Sequence, residues 1–398
     1  MPDHDHAPRR PGTRDTPATP LRVVLLASAP SAHTRRWARD LAMRGHEVTV
    51  CSWHEASLGP EDWRAASAPA GACLPLRVVR AGYWLRREVR RARPDVIHVH
   101  SLGVHGALSL LLPARKAVPL VITPWGSELR AADRHPGRAL VARLVLRRAA
   151  RVVPTSREVA ELVASRYRVL RSRITVLSWG VPDVLLDAGD DADPEVTRAK
   201  YGIPAEATVV LSVRSTSEVY RTREILVAFT RAARVRLDLF LVLLAGHQPA
   251  HPGARSAQQG YLAFLRAGAE DLAGRVTIID QPLGHAEMFS LMRASDAAIS
   301  VPRTDQRSSS VLEAAAAGCR LLLSDIAPYR ELVAEGLLAD LLPDPLVSSL
   351  ADVLSHAGPL DADDRLSNRK LISQAERGSL KVAELERLYR DVARERAV

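Results

Sequence analysis

Short apolar runs alternate with amphipathic segments along almost the whole chain, and no other feature limits the fold as much. LRVVLLAS (Leu21–Ser28) is nearly continuous in apolar residues, as a strand buried on both faces must be. A turn of small residues, Ser28–Ala32, leads into HTRRWARDLAMRGHEVTVCS. There Trp37 and Leu41 share one helical face, Gly45 ends the helix and Glu47–Cys51 supplies the next strand. Strand, helix and strand with such short connections make a parallel unit. The unit recurs: Asp95–His100, Leu120–Gly126, the RVVPTS run from Arg151 and Ile174–Gly180 read as strands, with helices over Val104–Leu112, Ala139–Ala150 and Glu158–Tyr167. A second series begins at Ala207–Ser215 and continues through Leu239–Gly246, RVTIID from Arg275, AAISVPR from Ala297 and RLLLSD from Arg320. Helices over Glu224–Arg234, Tyr261–Ala269 and Ala286–Ala294 separate these strands, with a loop over His247–Gly260.

Two such series predict an α/β protein of two facing Rossmann-like domains, with a ligand cleft outside the carboxyl ends of the strands. The chain has 398 residues, which fits two domains. The expected boundaries are a disordered leader over 1–20, a first domain over 21–185, a linker and leading helix over 186–206, a second domain over 207–360 and a helical segment over 361–398. Leu371, Val382, Leu385 and Leu388 supply apolar contacts in that last segment. It reads as a surface amphipathic helix or as one crossing back to the first domain. The leader lacks the apolar core of a secretory signal, and no apolar run approaches the ~18 residues of a spanning helix. Cys51, Cys73 and Cys319 show no paired spacing, which fits reduced thiols and a cytoplasmic location.

The formal charge is +10. A solvated arginine-rich surface accounts for it; a phosphate-bearing ligand or an anionic membrane are the sharper readings. Basic clusters lie at Arg86–Arg93, just after Tyr83, Trp84 and Leu85, and at Arg147–Arg151. The first suits peripheral contact with the inner face of a membrane. Neither is interleaved with aromatics in the way that base stacking needs, so a nucleic-acid partner is not expected. His98, His100 and His105 find no carboxylate set to complete a metal site.

The chemistry concentrates in DQRSSSVLEAAAAGCRLLLSD, Asp305–Asp325. Ser310 and Glu313 have the spacing of a capping box, which by itself makes Glu313 structural. The position argues for more. This helix follows a strand of the second series, at the edge where ligands bind. Its N-terminus offers unpaired N–H groups and a positive dipole end to an anion such as a diphosphate. Glu313, one turn in, is placed for a ribose diol, and Asp305, in the preceding loop, for the hydroxyls of a sugar beyond the phosphates.

DQRSSSVLEAAAAG resembles the E-x7-E motif of retaining GT-B glycosyltransferases of family four, with Asp305 and Glu313 in the two acidic places. HTRRWARDLAMRGHEVTV, PDVIHVH, VITPWGSEL, VLSWGV and LSVRSTSEVYRTREILVAF resemble further stretches of that family in the same order, over about residues 21–395. The resemblance implies transfer of a sugar, with retention at the anomeric carbon, from a nucleoside-diphosphate sugar, most simply UDP-linked. It implies that no metal or other cofactor is needed, since protein cations and helix termini steady the leaving diphosphate. It makes Asp305 and His100 the catalytic candidates. Donor binding falls to Arg214, Arg221, Glu313 and the N–H groups around Ser309, Ser310 and Val311. Arg221 is chosen because the usual second cation, a lysine five residues after Arg214, is Val219 here. Ser28, His33, Arg35, Trp125 and Glu128 are the acceptor-side candidates, for a lipid, a saccharide or a small metabolite. Gln306 and Arg307 replace smaller residues of the family pattern, which bears on donor choice and on activity. The alternatives are a non-catalytic protein that binds nucleotide-sugars or anionic surfaces, and a sugar-nucleotide epimerase or phosphorylase of the same fold.

Overall fold

The computed structural model describes residues 19–54, 63–70, 73–113, 118–132, 135–187, 193–246, 252–272, 274–356 and 358–395. The leader expected over 1–20 lies outside them but for its last two residues.

The twelve strands are β1 (Arg22–Leu26), β2 (Glu47–Ser52), β3 (Arg64–Ser67), β4 (Val96–His100), β5 (Leu120–Thr123), β6 (Arg151–Val152), β7 (Thr208–Ser215), β8 (Leu239–Leu244), β9 (Val276–Ile279), β10 (Ala297–Ser300), β11 (Arg320–Ser324) and β12 (Asp340–Leu342). They form two six-stranded sheets, in the orders β3-β2-β1-β4-β5-β6 and β12-β11-β10-β7-β8-β9. All pairings are parallel, with Val24 beside Thr49 on one side and Ile97 on the other. In each sheet the strand order reverses beside the first strand of the series, next to β4 in one and β10 in the other, and a doubly wound sheet opens a crevice there. The strand centres are fully buried, as at Val24, Leu25, Leu211 and Ile299. Their continuous apolar sequence is thus a consequence of helices covering both faces.

The C-terminal helix Gly378–Glu395 belongs to the first domain's packing. Its Val382, Leu385, Leu388, Tyr389 and Val392 share one core cluster with β1, Trp37 and Leu41. Burial of each such side chain contributes about 1.5–3 kcal/mol. Tyr389 Oη lies 2.6 Å from His98 Nδ1, and the other ring nitrogen of His98 lies 2.8 Å from Thr123 Oγ1. Arg44 donates to Glu386 at 2.7 Å on the rim of the same contact. The helix therefore crosses back to the first domain, and its apolar stripe is a core face, not a free surface.

Four details differ from the sequence expectation. Ile174–Gly180 is not a strand: it makes one isolated bridge, Val152 to Ile174, then runs into the interdomain connection. The helix expected at Tyr261 starts at Pro252 and runs to Glu270, where a proline in the first turn lacks only an N–H that had no partner. β3 and the long helix Leu74–Ala92 were not expected, because RAAS is too polar and short to read as a strand. The same holds for β12 and its flanking helices Ala327–Ala334 and Leu346–His356. Cys51 and Cys319 are buried free thiols, each pushed up to about 12 by burial.

Candidate active site

Arg214 stands near the carboxyl end of β7, and the loop carrying Asp305 leaves β10, the neighbouring strand. Adjacent parallel strands thus deliver both side chains to one place. Arg214 Nη1 donates to Ser308 Oγ at 2.5 Å and lies 3.4 Å from Asp305 Oδ2; Nη2 donates to Tyr220 Oη at 2.9 Å. The guanidinium also sits 4.4 Å from the centre of the Tyr220 ring. Burial opposes its charge, yet Asp305 and the two tyrosines, Tyr220 and Tyr329, hold its pKa above the ordinary value.

Asp305 is fixed from behind. Tyr329 Oη donates to its Oδ2 at 2.8 Å and the Gln306 N–H to its Oδ1 at 2.9 Å. Tyr329 is itself buried against Ser300, 2.8 Å away, and burial with the nearby Asp305 charge raises its pKa well above the tyrosine range. It stays a donor at any physiological pH, so the Asp305 carboxylate is held in one orientation.

The helix Ser309–Ala317 begins beside this pair, with Ser308 as its N-cap. The Ser308 side chain makes no capping bond, because its hydroxyl is occupied by Arg214. Ser309 Oγ is buried without a hydrogen-bond partner among the described residues. The first N–H groups of a helix have no partner within it. An unpaired hydroxyl, unpaired amides and a forked cation in one place form a cradle for a diphosphate.

These groups face the first domain across a cavity of about 370 Å³, lined on that side by His33, Trp125, Thr155 and Trp179 and on this side by Arg214, Tyr220, Asp305 and Ser309. His33 stacks on Trp179, centroids 4.8 Å apart, and Trp125 meets Trp179 edge-on at 6.3 Å. Burial, then the positive charge of Arg36, lowers the His33 pKa to about 4, so the ring is neutral at physiological pH. Gln306 bridges the domains: Thr155 Oγ1 donates to its Oε1 at 2.6 Å, and its Nε2 reaches Pro124 O at 3.5 Å. Gly126 makes room for it, since a Cβ there would lie 3.1 Å from Gln306 Nε2. Arg307 ties the same loop to the interdomain connection, donating to Glu376 at 2.9 Å and to Glu335 at 2.6 Å. Ser178 donates to the other oxygen of Glu376.

Glu313 lies off the 370 Å³ cavity. Its Oε1 accepts from His285 Nε2 at 2.9 Å. That bond, opposed by partial burial, raises the His285 pKa. No bond from Glu313 back to the helix start is formed, so the capping-box reading is not realised. His285 opens onto a second interdomain cavity of about 1130 Å³ that also takes in Arg35, Arg36 and Arg39.

Several sequence candidates lie elsewhere. Arg221 is buried against Glu224 and Asp344, with Nη2 donating to the latter at 2.7 Å, and does not line the cavity. The residue that does is its neighbour Tyr220. His100 is buried behind Trp179, 5.3 Å away, and is kept neutral chiefly by burial. Glu128 accepts the N–H groups of Leu102 and Trp125 at 3.0 and 2.8 Å, so it braces the Trp125 loop. Ser28 lies at the end of β1, where its carbonyl accepts from Ser31 N at 3.0 Å. Arg35 faces the second cavity. Tyr220 stood in the stretch LSVRSTSEVYRTREILVAF but was passed over for Arg221; Trp179, Thr155, Tyr329 and His285 were not singled out from sequence. Only VLSWGV, which runs into the interdomain connection, carried a usable signal for one of them.

Two parallel doubly wound sheets facing one another across such a site have the GT-B architecture. Residues 31–184 match the family model described as Glycosyltransferase Family 4. The match lies within the first domain and covers less than half of the chain. Among solved structures the chain is similar to sucrose-phosphate synthase from Thermosynechococcus elongatus (TM-score 0.75, 18% identity, 93% of this chain and 98% of that one). It is also similar to Anabaena HepE in complex with UDP-glucose (TM-score 0.73, 15% identity, 93% and 99%). A third is a UDP-forming trehalose-phosphate synthase from Burkholderia xenovorans (TM-score 0.72, 13% identity, 94% and 99%). No curated protein matches the sequence significantly.

Proposed function

We propose that the chain transfers a sugar from a UDP-sugar to an acceptor hydroxyl with its anomeric configuration retained. The observation that carries this reading is the convergence of Arg214, Asp305 and the unpaired Ser309 hydroxyl on one interdomain cavity. The diphosphate lies on Arg214 and the N–H groups of Ser309, Ser310 and Val311. Asp305, fixed by Tyr329, accepts from hydroxyls of the donor sugar, and Glu313 accepts from the ribose once His285 turns aside. The bond from C1 to the diphosphate breaks, the acceptor oxygen bonds C1 on the same face, and the acceptor proton passes to the leaving diphosphate. Preorganised donors aimed at the leaving group supply the main catalytic term. The neighbours solved with UDP-glucose or described as UDP-forming support uridine as the base. The acceptor enters from the first domain, past His33 and Trp125, and is a lipid, a saccharide or a small metabolite. We place the reaction in the cytoplasm, with peripheral contact at the inner face of the membrane.

Titration calorimetry with UDP, GDP, ADP and dTDP tests the donor. UDP should bind most tightly, and Glu313→Ala should weaken it by about 1–3 kcal/mol, the cost of one charged hydrogen-bonding partner. Equal affinity for all four bases, or for wild type and Glu313→Ala, would remove uridine or the ribose contact from the proposal.

A further inference from the structure

The helices Leu74–Ala92 and Pro136–Arg148 cover the same face of the first sheet, since Ala81 and Leu85 of one and Ala142, Val145 and Leu146 of the other lie in a single core cluster. Their outward faces share a composition that core packing does not require. On the first helix Leu74, Val79 and Tyr83 are 68%, 69% and 77% exposed. Arg80, Arg87, Arg90 and Arg91 stand among and beyond them, all exposed. On the second helix Leu140 and Leu144 are exposed beside Arg138, Arg143 and Arg147. None of these seven arginines has a hydrogen bond or ion pair from its side chain among the described residues. The first helix has one acid, Glu88, which is buried and taken by Arg64; the second has none. Elsewhere on this chain arginines are commonly paired, as at Arg171, Arg330 and Arg377. Seven cations without a printed partner thus share one layer with large exposed apolar side chains.

We propose that this helical layer, 74–92 with 136–148, docks the protein on an anionic lipid surface. Interfacial binding needs apolar side chains to enter the acyl boundary and cations to meet the headgroups, with no acid between them. Both conditions are met on two helices of one layer, with the short helix Val104–Ser109 packed between them. The contact differs from the basic run 86–93 legible in the sequence. Arg86 is taken by the Leu111 carbonyl at 2.7 Å and Leu85 is buried, while Val79, Arg80 and the second helix join the surface. The proposal does not depend on the identity of the donor.

Co-sedimentation of the full chain with phosphatidylcholine vesicles, with and without about a third of phosphatidylglycerol, tests it. The wild type should partition to the anionic vesicles and hardly to the neutral ones, and salt should weaken the binding. Each arginine near a charged surface is worth about a five-fold change, so Arg80→Gln, Arg87→Gln and Arg143→Gln together should lower partitioning on the order of a hundred-fold at low salt. Val79→Asp with Tyr83→Asp should also release the protein. A control that neutralises Arg231, Arg234 and Arg369, exposed on other parts of the chain, should change binding far less. UDP affinity and the circular dichroism spectrum confirm that every variant is folded. Binding to neutral vesicles as strong as to anionic ones, equal loss in the control triple, or no vesicle binding alongside tight binding to single-stranded DNA would each overturn the docking surface.

Discussion

Arg214 gives the sharpest test of the site. Its guanidinium meets Ser308, Tyr220 and Asp305, with only 17% of its side chain exposed and 14% of that of Asp305. Arg214→Ala leaves Asp305 with two donors, Tyr329 and the Gln306 N–H. Removing one partner from a largely buried ion pair costs about 3–5 kcal/mol when burial is complete. With both side chains still partly wet and two donors remaining, about 2 kcal/mol is expected here. The loss to a ligand is separable. A charge-assisted bond to phosphate is worth about 1.5–3 kcal/mol, so UDP affinity should fall roughly ten- to a hundred-fold while uridine affinity stays within about two-fold. Arg214→Lys keeps the charge and loses the fork, and should fall between the two. Calorimetry with UDP and uridine on the three proteins, beside chemical denaturation, reads both quantities. If UDP and uridine weaken by the same factor, Arg214 acts only on the fold and the diphosphate lies elsewhere.

Three further outcomes follow from groups buried wholly or in part. Tyr389→Phe strands a ring nitrogen of the fully buried His98 and should cost about 1–3 kcal/mol in urea denaturation, loosening the C-terminal helix. The pKa values of His33 and His105 are lowered to about 4 and that of His98 to about 3, each chiefly by burial. The unfolded chain takes up these protons near pH 6.5 and the native state does not. Their stability is therefore present above pH 6.5 and lost as pH falls towards 4, by several kcal/mol in all, and thermal melts across that window should show it. His285 has the opposite sign: its pKa is raised by Glu313, so that pair stabilises below pH 6.5 and the effect fades as pH rises through the raised value. Because the ring is half exposed, His285→Gln should cost under about 1 kcal/mol at pH 5.5 and less at pH 8.5.

The sheets were legible because a strand covered on both faces must be apolar throughout, as LRVVLLAS and LFLVLLAG are. What escaped was whatever lacked that requirement. β3 and β12 are edge strands with partly exposed residues, and their neighbouring helices went unread with them. Of the site, the residues fixed by chain position were readable. Arg214 stands near the end of a strand and Asp305 precedes a helix, and the strand order brings them together. The residues that surround them arrive by tertiary packing. Tyr329 comes from a helix beyond the next strand, Thr155 and Trp179 from the other domain, and no spacing in the sequence links them to Asp305. Arg221 misled for a related reason. It sits two residues from a cavity residue in number, Val219, yet its backbone takes a φ of +56°, which swings its side chain to Glu224 and Asp344 while Tyr220 turns to Arg214.

The two replacements beside Asp305 connect closure with the site's chemistry. Gln306 holds the first domain through Thr155, and Arg307 holds the interdomain connection through Glu376. A single loop therefore carries the cavity-facing carboxylate and the contacts that join the domains. A small residue at 306 would leave that loop indifferent to the first domain, whereas here opening the cleft must break the Thr155 bond one residue from Asp305. Opening then frees the Gln306 side chain, while Tyr329 and Arg214, both of the second domain, keep their hold on Asp305. Water enters only when the Thr155 bond gives way, so donor hydrolysis is limited by closure. Gln306→Gly tests this: it should raise acceptor-free hydrolysis of a UDP-sugar relative to transfer, with UDP affinity little changed. An unaltered ratio of hydrolysis to transfer would mean that Gln306 only fills space.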